Sequence, residues 1–338
     1  EDPQWLYVAG HAFTMNELHN WLAKGISFKE MVKNGVEKGK YTNALGAFSD
    51  ENLSIAEVVI DYKRDLAHSY SSLVTSKYKY QGENELVQHM HVLNALRFCS
   101  VKNSSLDLKE TYDVLSKREF SLATPFMGNL RSGGNTASCF IIAPEDSLDS
   151  LMRTMNDAAQ ISKSGGGVGV YMGFIRAHGS EVRGRKNSAG SIVNWIKILN
   201  DIGVAVDQGG KRAGAIKVSL PSWHNDIDKF LDLQLEHGDH RARAYDVFPN
   251  MICHDIFMDR VKNGGKWVTF CPHEVKQKLG LDVRGKFGDE FTNLYLQVEK
   301  ASEENVLEVF KVYDEARTLM KQAMRSMFEA GLPDLTFI

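Results

Sequence analysis

The chain has 338 residues, with 40 Lys+Arg against 43 Asp+Glu and a formal net charge of −3. That length fits one large domain or two ordinary ones, and a 43% hydrophobic share is enough for a sizeable core. A mean hydropathy of −0.29 with no apolar run near ~18 residues excludes a membrane-spanning helix; the small net charge argues against a protein whose main task is neutralising a nucleic-acid backbone; and a 25% charged share excludes wholesale disorder.

The opening Glu1-Asp2-Pro3-Gln4 is polar and acidic, so no secretory segment is read there and a cytoplasmic location is expected. The absent initiator Met is expected of a trimmed start or of a piece of something longer. Residues 1–120 read as a helical domain. Leu53, Ala56, Val59 and Ile60 keep a helical period, as do Leu86, Met90, Leu93, Leu96 and Arg97, and Pro3 is the only proline in the stretch. The character changes at Thr124-Pro125. Cys139-Phe140-Ile141-Ile142 reads as a strand, Ser147 to Ser162 as a helix, Val168 to Tyr171 as a strand, Ile192 to Val206 as a helix, and Ala215 to Leu220 as a strand. That alternation over 121–338 implies an α/β architecture with parallel pairing. Ser302 to Ala330 reads as one long helix, carrying Val306, Val309, Phe310, Tyr313, Ala316, Met320, Ala323 and Met327, and stopped by Gly331 and Pro333. Leu335 to Ile338 reads as the start of a strand, so the chain is expected to stop inside a fold.

Three segments could carry chemistry. Ser162-Lys163-Ser164-Gly165-Gly166-Gly167-Val168-Gly169 joins a helix to a strand; its glycines would let an anion approach the backbone, but a tight helix-to-strand connection explains them equally well. It is neither a Walker loop nor a Rossmann turn. Asp207-Gln208-Gly209-Gly210-Lys211-Arg212-Ala213-Gly214 is a second glycine loop, in which Lys211 and Arg212 offer affinity for phosphate or carboxylate. Arg176, Arg183 and Arg185 follow the second strand, where guanidinium groups can grip a diphosphate or triphosphate bidentately. Any one of these is more often a solvated charge. Cys139, at a strand start, is a candidate redox thiol; Cys99, Cys253 and Cys271 read as packing. No Cys-x-x-Cys pair and no histidine spacing supports a metal site.

Taken in order, Ala123-Thr124-Pro125, Asn129-x-Arg131, Ser138-Cys139-Phe140, Asp146-Ser147-Leu148, Gly165 to Gly169, Ile175-Arg176-x-x-Gly179-Ser180, Gln208 to Ala215 and Leu220-Pro221-x-Trp223-His224 resemble the large (alpha) subunit of class I ribonucleotide reductase. The match runs over about 120–338 and more faintly before it. The resemblance implies a helical domain followed by the first half of a ten-stranded α/β barrel. It implies reduction of ribonucleotides to 2′-deoxyribonucleotides, in which a protein thiyl radical abstracts the 3′ hydrogen, a cysteine pair supplies two electrons and the 2′ hydroxyl leaves as water. By the same resemblance Cys139 is one of the reducing pair, restored by thioredoxin or glutaredoxin. Thr124, Ser138 and Gly167 match positions that touch substrate, and Asp146, Ser147, Leu148, Arg176 and Arg183 match the specificity site for a deoxynucleoside triphosphate or ATP effector at the subunit interface. Gln208, Lys211 and Arg212 match the loop that reports effector identity to the substrate base. The implied partners are a ribonucleoside diphosphate, a second copy of the alpha assembly and a separate metal-carrying beta subunit that generates the radical, so no metal and no directly bound cofactor is expected on this chain.

The family's radical-bearing cysteine lies in Asn-x-Cys-x-Glu, and none of the four cysteines here has those neighbours. The chain is therefore expected to be inactive until a second chain supplies the remaining half-barrel, as in a gene split in a bacteriophage. Two other readings stay open: a non-catalytic nucleotide-binding or assembly module, and a cobalamin-dependent class II reductase.

Overall fold

The computed structural model describes residues 3–65, 85–206 and 214–338. The chain divides into two compact units, 1–138 and 139–338.

The first unit is helical. Its described helices are α1 (Pro3–Leu22), α2 (Phe28–Glu37), α3 (Asn43–Gly46), α4 (Asp50–Val58), α5 (Val87–Cys99), α6 (Leu108–Ser116) and α7 (Thr124–Ser132). Local chemistry starts several of them. Ser27 caps α2 by accepting from the Glu30 amide, and Glu30 accepts in return from the Ser27 amide. Ser49 caps α4, and Asp107 caps α6. Phe28, Leu45, Leu53, Leu93 and Tyr112 form the core. α5 is buried along every residue from Val87 to Leu96, so its polar side chains need partners. Tyr112 donates its hydroxyl proton to Gln88 Oε1 at 2.6 Å, and Asn94 Nδ2 donates to the Met127 carbonyl at 3.2 Å.

The division between the units falls after Ser138 and not near residue 120. The physical reason lies in α7. Arg131, fully buried, places Nε 2.8 Å from Glu85 Oε1, donates from Nη2 to Glu85 Oε2 at 3.2 Å, and donates from Nη1 to Met127 O at 2.8 Å. The Thr124-Pro125 signal marks a helix start with proline in the first turn, not a domain edge.

The second unit contains a five-stranded, all-parallel sheet. Its strands are β1 (Cys139–Ile142), β2 (Gly167–Tyr171), β3 (Ile216–Pro221), β4 (Val247–Cys253) and β7 (Asp334–Phe337), in that spatial order. The helices α8 (Leu148–Lys163) and α9 (Ile192–Ala205) follow β1 and β2, as the alternation predicts. One sheet face carries Val168, Val170, Ile216, Val218, Leu220, Val247 and Met251 into the core. The opposite face is more open and mixes polar side chains with exposed Ile141 and Phe248. There Lys217 Nζ lies 2.6 Å from Asp334 Oδ2, Asn250 Nδ2 donates to Ser219 Oγ at 3.1 Å, and Thr336 Oγ1 donates to Asn250 Oδ1 at 2.9 Å. A five-stranded parallel sheet fits the first half of the expected barrel.

The expected helix from Ser302 to Ala330 is instead a helix end, a strand and a second helix. α13 (Gly288–Glu303) stops before Asn305, whose φ of 55° is left-handed. Phe310 to Tyr313 then form β6, antiparallel to β5 (Trp267–Phe270). α14 (Ala316–Ala330) begins only afterwards and ends on Gly331, φ 79°. Val309-Phe310-Lys311-Val312-Tyr313 is rich in β-branched and aromatic residues, and its apolar spacing satisfies both periods over so short a run. α10 (Ile227–Leu231), α11 (Asp255–Asn263) and α12 (Pro272–Leu279) complete the unit. No helix among the described residues is long and apolar enough to cross a membrane.

Candidate effector cleft and redox thiol

Parallel sheets place ligand sites beyond the carboxyl ends of their strands. Asp146 follows β1 by a short loop, and Arg176 follows β2 in the same way. The fold brings the two together. Asp146 Oδ1 accepts from the Arg176 amide at 3.1 Å and from its Nε at 3.1 Å; Oδ2 accepts from Nε at 2.9 Å. His273, from the first turn of α12, places Nδ1 3.2 Å from the same Oδ2. Burial, and secondarily the Arg176 charge, hold the His273 imidazole below its ordinary pKa, against the opposing pull of Asp146 and Glu181.

These residues line a cleft of about 440 Å³, together with Glu145, Ser147, Phe174, Lys276 and Arg284. On its far wall Arg284 binds Asp282 through Nε and Nη2 and reaches Glu145 with Nη1 at 3.1 Å. The Arg284 hydrogen bond is the main reason the Asp282 carboxyl sits well below the usual carboxylate range.

The Arg176 loop is rigid for identifiable reasons. His224 Nε2 lies 2.8 Å from the Ile175 carbonyl. The Ala177 amide donates to Cys271 Sγ at 3.3 Å, and the Ser180 hydroxyl lies 2.8 Å from the same sulfur. The buried Asp226 carboxylate accepts from the His178 amide at 3.1 Å, from Ser191 Oγ at 3.1 Å and from the Ile192 amide at 3.0 Å. The Leu220-Pro221-x-Trp223-His224 motif thus acts as a clamp: Trp223 stacks on Phe270 with centroids 4.8 Å apart, and His224 fixes the backbone just before Arg176. Asp226→Asn keeps one acceptor but loses the charge on it. We expect a loss of about 1–2 kcal/mol of stability, read by denaturant titration, with faster proteolysis between residues 177 and 190.

Other expected site residues are placed as follows. Ser147 caps α8, accepting from the Ser150 amide at 3.2 Å, and Leu148 is exposed. Arg183 is exposed in a tight turn closed by mutual Val182 and Arg185 backbone hydrogen bonds, with φ 52°, and does not line the Asp146 cleft. Cys139 opens β1, is exposed, and is the register partner of Gly167. It stands at the opposite end of β1 from Asp146, four strand residues away, on the order of 10 Å. Thr124 begins α7 and Ser138 ends the first unit; both are half-buried. Gln208, Lys211 and Arg212 lie outside the described residues.

The glycine run before β2 is a packing device. Gly165 adopts φ 86°, and a Cβ on Gly166 would stand 2.7 Å from both Phe140 and Ile161 side chains. The amides of Gly165 and Gly166 donate to Ser162 O and Ile161 O, closing α8, so these two are not turned toward an anion. Sequence reading passed over His273 and Asp226 and assigned Cys271 to packing; each is buried or half-buried in a segment with no glycine or arginine signature. The only pointer was that Asp226 lies two residues after the Leu220-Pro221-x-Trp223-His224 motif.

A family profile described as "Ribonucleotide reductase, barrel domain" matches residues 137–338. The alpha subunit of ribonucleoside-diphosphate reductase from Synechocystis is 38% identical over 350 aligned positions, covering 99% of this chain and 45% of that protein. The large subunit from Arabidopsis thaliana is 32% identical, covering 85% of this chain and 35% of its own length. Among solved structures, the class Id ribonucleotide reductase alpha subunit of Actinobacillus ureae superposes with a TM-score of 0.54 at 17% identity, over 82% of this chain and 40% of that one, a likeness of fold. The chain spans under half the length of these relatives.

Proposed function

Because this chain belongs to the ribonucleotide reductase barrel-domain family, we propose that it forms part of a class I ribonucleoside-diphosphate reductase large subunit. The substrate is a ribonucleoside diphosphate. Cys139 is one of two thiols that are oxidised to a disulfide as the 2′ hydroxyl leaves as water and the 3′ hydrogen returns from the radical-bearing cysteine. Thioredoxin or glutaredoxin reduces that disulfide by thiol exchange. The radical-bearing Asn-x-Cys-x-Glu segment is not among these 338 residues, so the reaction requires the polypeptide that supplies it, a radical-generating beta subunit and a second alpha assembly. The observation that carries the reading is an exposed cysteine opening the edge strand of an all-parallel sheet, opposite Gly167, within a family match that spans the whole unit. The test is formation of deoxynucleoside diphosphate by the complete assembly, stimulated by deoxynucleoside triphosphates.

The cleft at Asp146 is the proposed effector site. Asp146 accepts the deoxyribose hydroxyl and Arg176 holds a phosphate; Arg183, outside the cleft, would reach a phosphate only beyond its rim. Removing a charged acceptor costs a hydrogen bond of about 1.5–3 kcal/mol. Asp146→Ala is therefore expected to weaken effector binding roughly 10- to 100-fold with little change in substrate binding, measured by equilibrium dialysis with each ligand. Equal loss of both would count against the assignment.

A further inference from the structure

Asp146 is already occupied on both oxygens: Oδ1 accepts from the Arg176 amide, the one Arg176 Nε–H is shared between Oδ1 and Oδ2, and His273 Nδ1 stands 3.2 Å from Oδ2. A ribose hydroxyl that donates to this carboxylate competes with the groups already standing on it. Arg176 is not the one to leave. It makes three contacts with Asp146, one through its backbone, and Nη1 is held on Glu181 O at 2.6 Å. Its backbone is clamped on both sides by His224, Cys271 and Asp226. His273 makes a single 3.2 Å contact and is a fifth exposed at its side chain.

The imidazole also has somewhere to go. His273 lines both the Asp146 cleft and a second cavity of about 310 Å³ bounded by Ser180, Glu181, Glu274, Gln277 and Glu308. It stands between them. Rotation about its side-chain bonds would carry the ring from one cavity toward the other, whose wall includes Glu181.

We propose that His273 is a gate on the effector cleft: its imidazole occupies the Asp146 acceptor that the 3′ hydroxyl of a deoxynucleoside triphosphate must take, and effector binding turns it out. This rests on the effector reading of the cleft. The gate sets affinity by competition, since the effector hydroxyl takes the Oδ2 edge against which His273 stands at 3.2 Å. It acts only on ligands that bear the competing hydroxyl.

The experiment compares dTTP with 2′,3′-dideoxythymidine triphosphate, which lacks that hydroxyl, on the complete enzyme. Equilibrium affinities are measured for the wild type, His273→Ala, His273→Phe and Asp146→Asn. Phenylalanine keeps the ring volume and removes the donor. Both His273 variants are expected to bind dTTP about 3- to 10-fold more tightly and to leave the dideoxy affinity unchanged. No tightening for dTTP, equal tightening for both nucleotides, or tightening by alanine alone would overturn the gate. If dTTP binding is insensitive to Asp146→Asn as well, the effector reading itself fails and the gate falls with it; if Asp146→Asn weakens dTTP while the His273 variants do not tighten it, only the gate is lost.

Discussion

Cys139→Ser is expected to abolish multiple-turnover ribonucleotide reduction by the assembled enzyme while leaving effector affinity unchanged. On the proposed reading each turnover needs two electrons from a thiol pair. Serine matches the shape of cysteine but cannot form a disulfide or be attacked by thioredoxin. The loss is chemical and should exceed about 10³-fold, the scale on which a group that makes and breaks bonds is missed. Position 139 is exposed and opens an edge strand, so the substitution disturbs little packing. The distance between residue 139 and the Asp146 cleft, set by the length of β1, is why effector binding should survive. Steady-state formation of deoxynucleotide with thioredoxin as reductant, set beside dTTP affinity, separates the two effects. Full activity of the serine variant would remove Cys139 from the mechanism.

The parts of this molecule legible in the sequence are those dictated by local pattern. Phe140 and Ile142, Val168 and Val170, and Ile216 and Val218 alternate along their strands, and the intervening α8 and α9 keep an apolar stripe. β4 escaped such a reading because Pro249 interrupts Val-Phe-Pro-Asn-Met-Ile-Cys, and proline demotes a run as a strand. Here Pro249 lies within the sheet, in register with Val218 of β3. β6 was hidden by a period that a five-residue run cannot decide. At the site, Asp146 and Arg176 were legible as members of a pattern, but their mutual hydrogen bonding was not. It depends on two loops converging from neighbouring strands, and on a third element, α12, delivering His273 from nearly a hundred residues away. Clefts built from three separated segments leave no periodic trace, so His273 and the clamp residues Asp226 and Cys271 emerge only from the fold.

The same distinction decides what Arg131 does. Its sequence neighbourhood, Asn129-x-Arg131, belongs to the family pattern and invites a functional role. The fold instead buries it completely against Glu85, which is itself 2% exposed. A guanidinium this deep is tolerable only because Glu85 and the Met127 carbonyl meet its N–H groups. Arg131→Met removes one charge and takes from the buried Glu85 carboxylate the guanidinium that stands 2.8 Å from it. Breaking such a pair from one side costs about 3–5 kcal/mol, whereas replacing both partners by apolar groups of similar size is often close to neutral. Arg131→Met is therefore expected to lower the melting temperature of the helical unit by roughly 10 °C or more, and Arg131→Met with Glu85→Leu to recover most of that loss. Calorimetry on the single and double variants gives the coupling directly. A single variant within about 1 kcal/mol of wild type would show that the charges are not held as a desolvated pair. Arg131 Nη1 also donates within α7 to the Met127 carbonyl, the group that takes Asn94 Nδ2 from α5, so the single variant should loosen the segment that begins with Thr124, and hydrogen exchange across 124–132 should quicken in step with the lost stability.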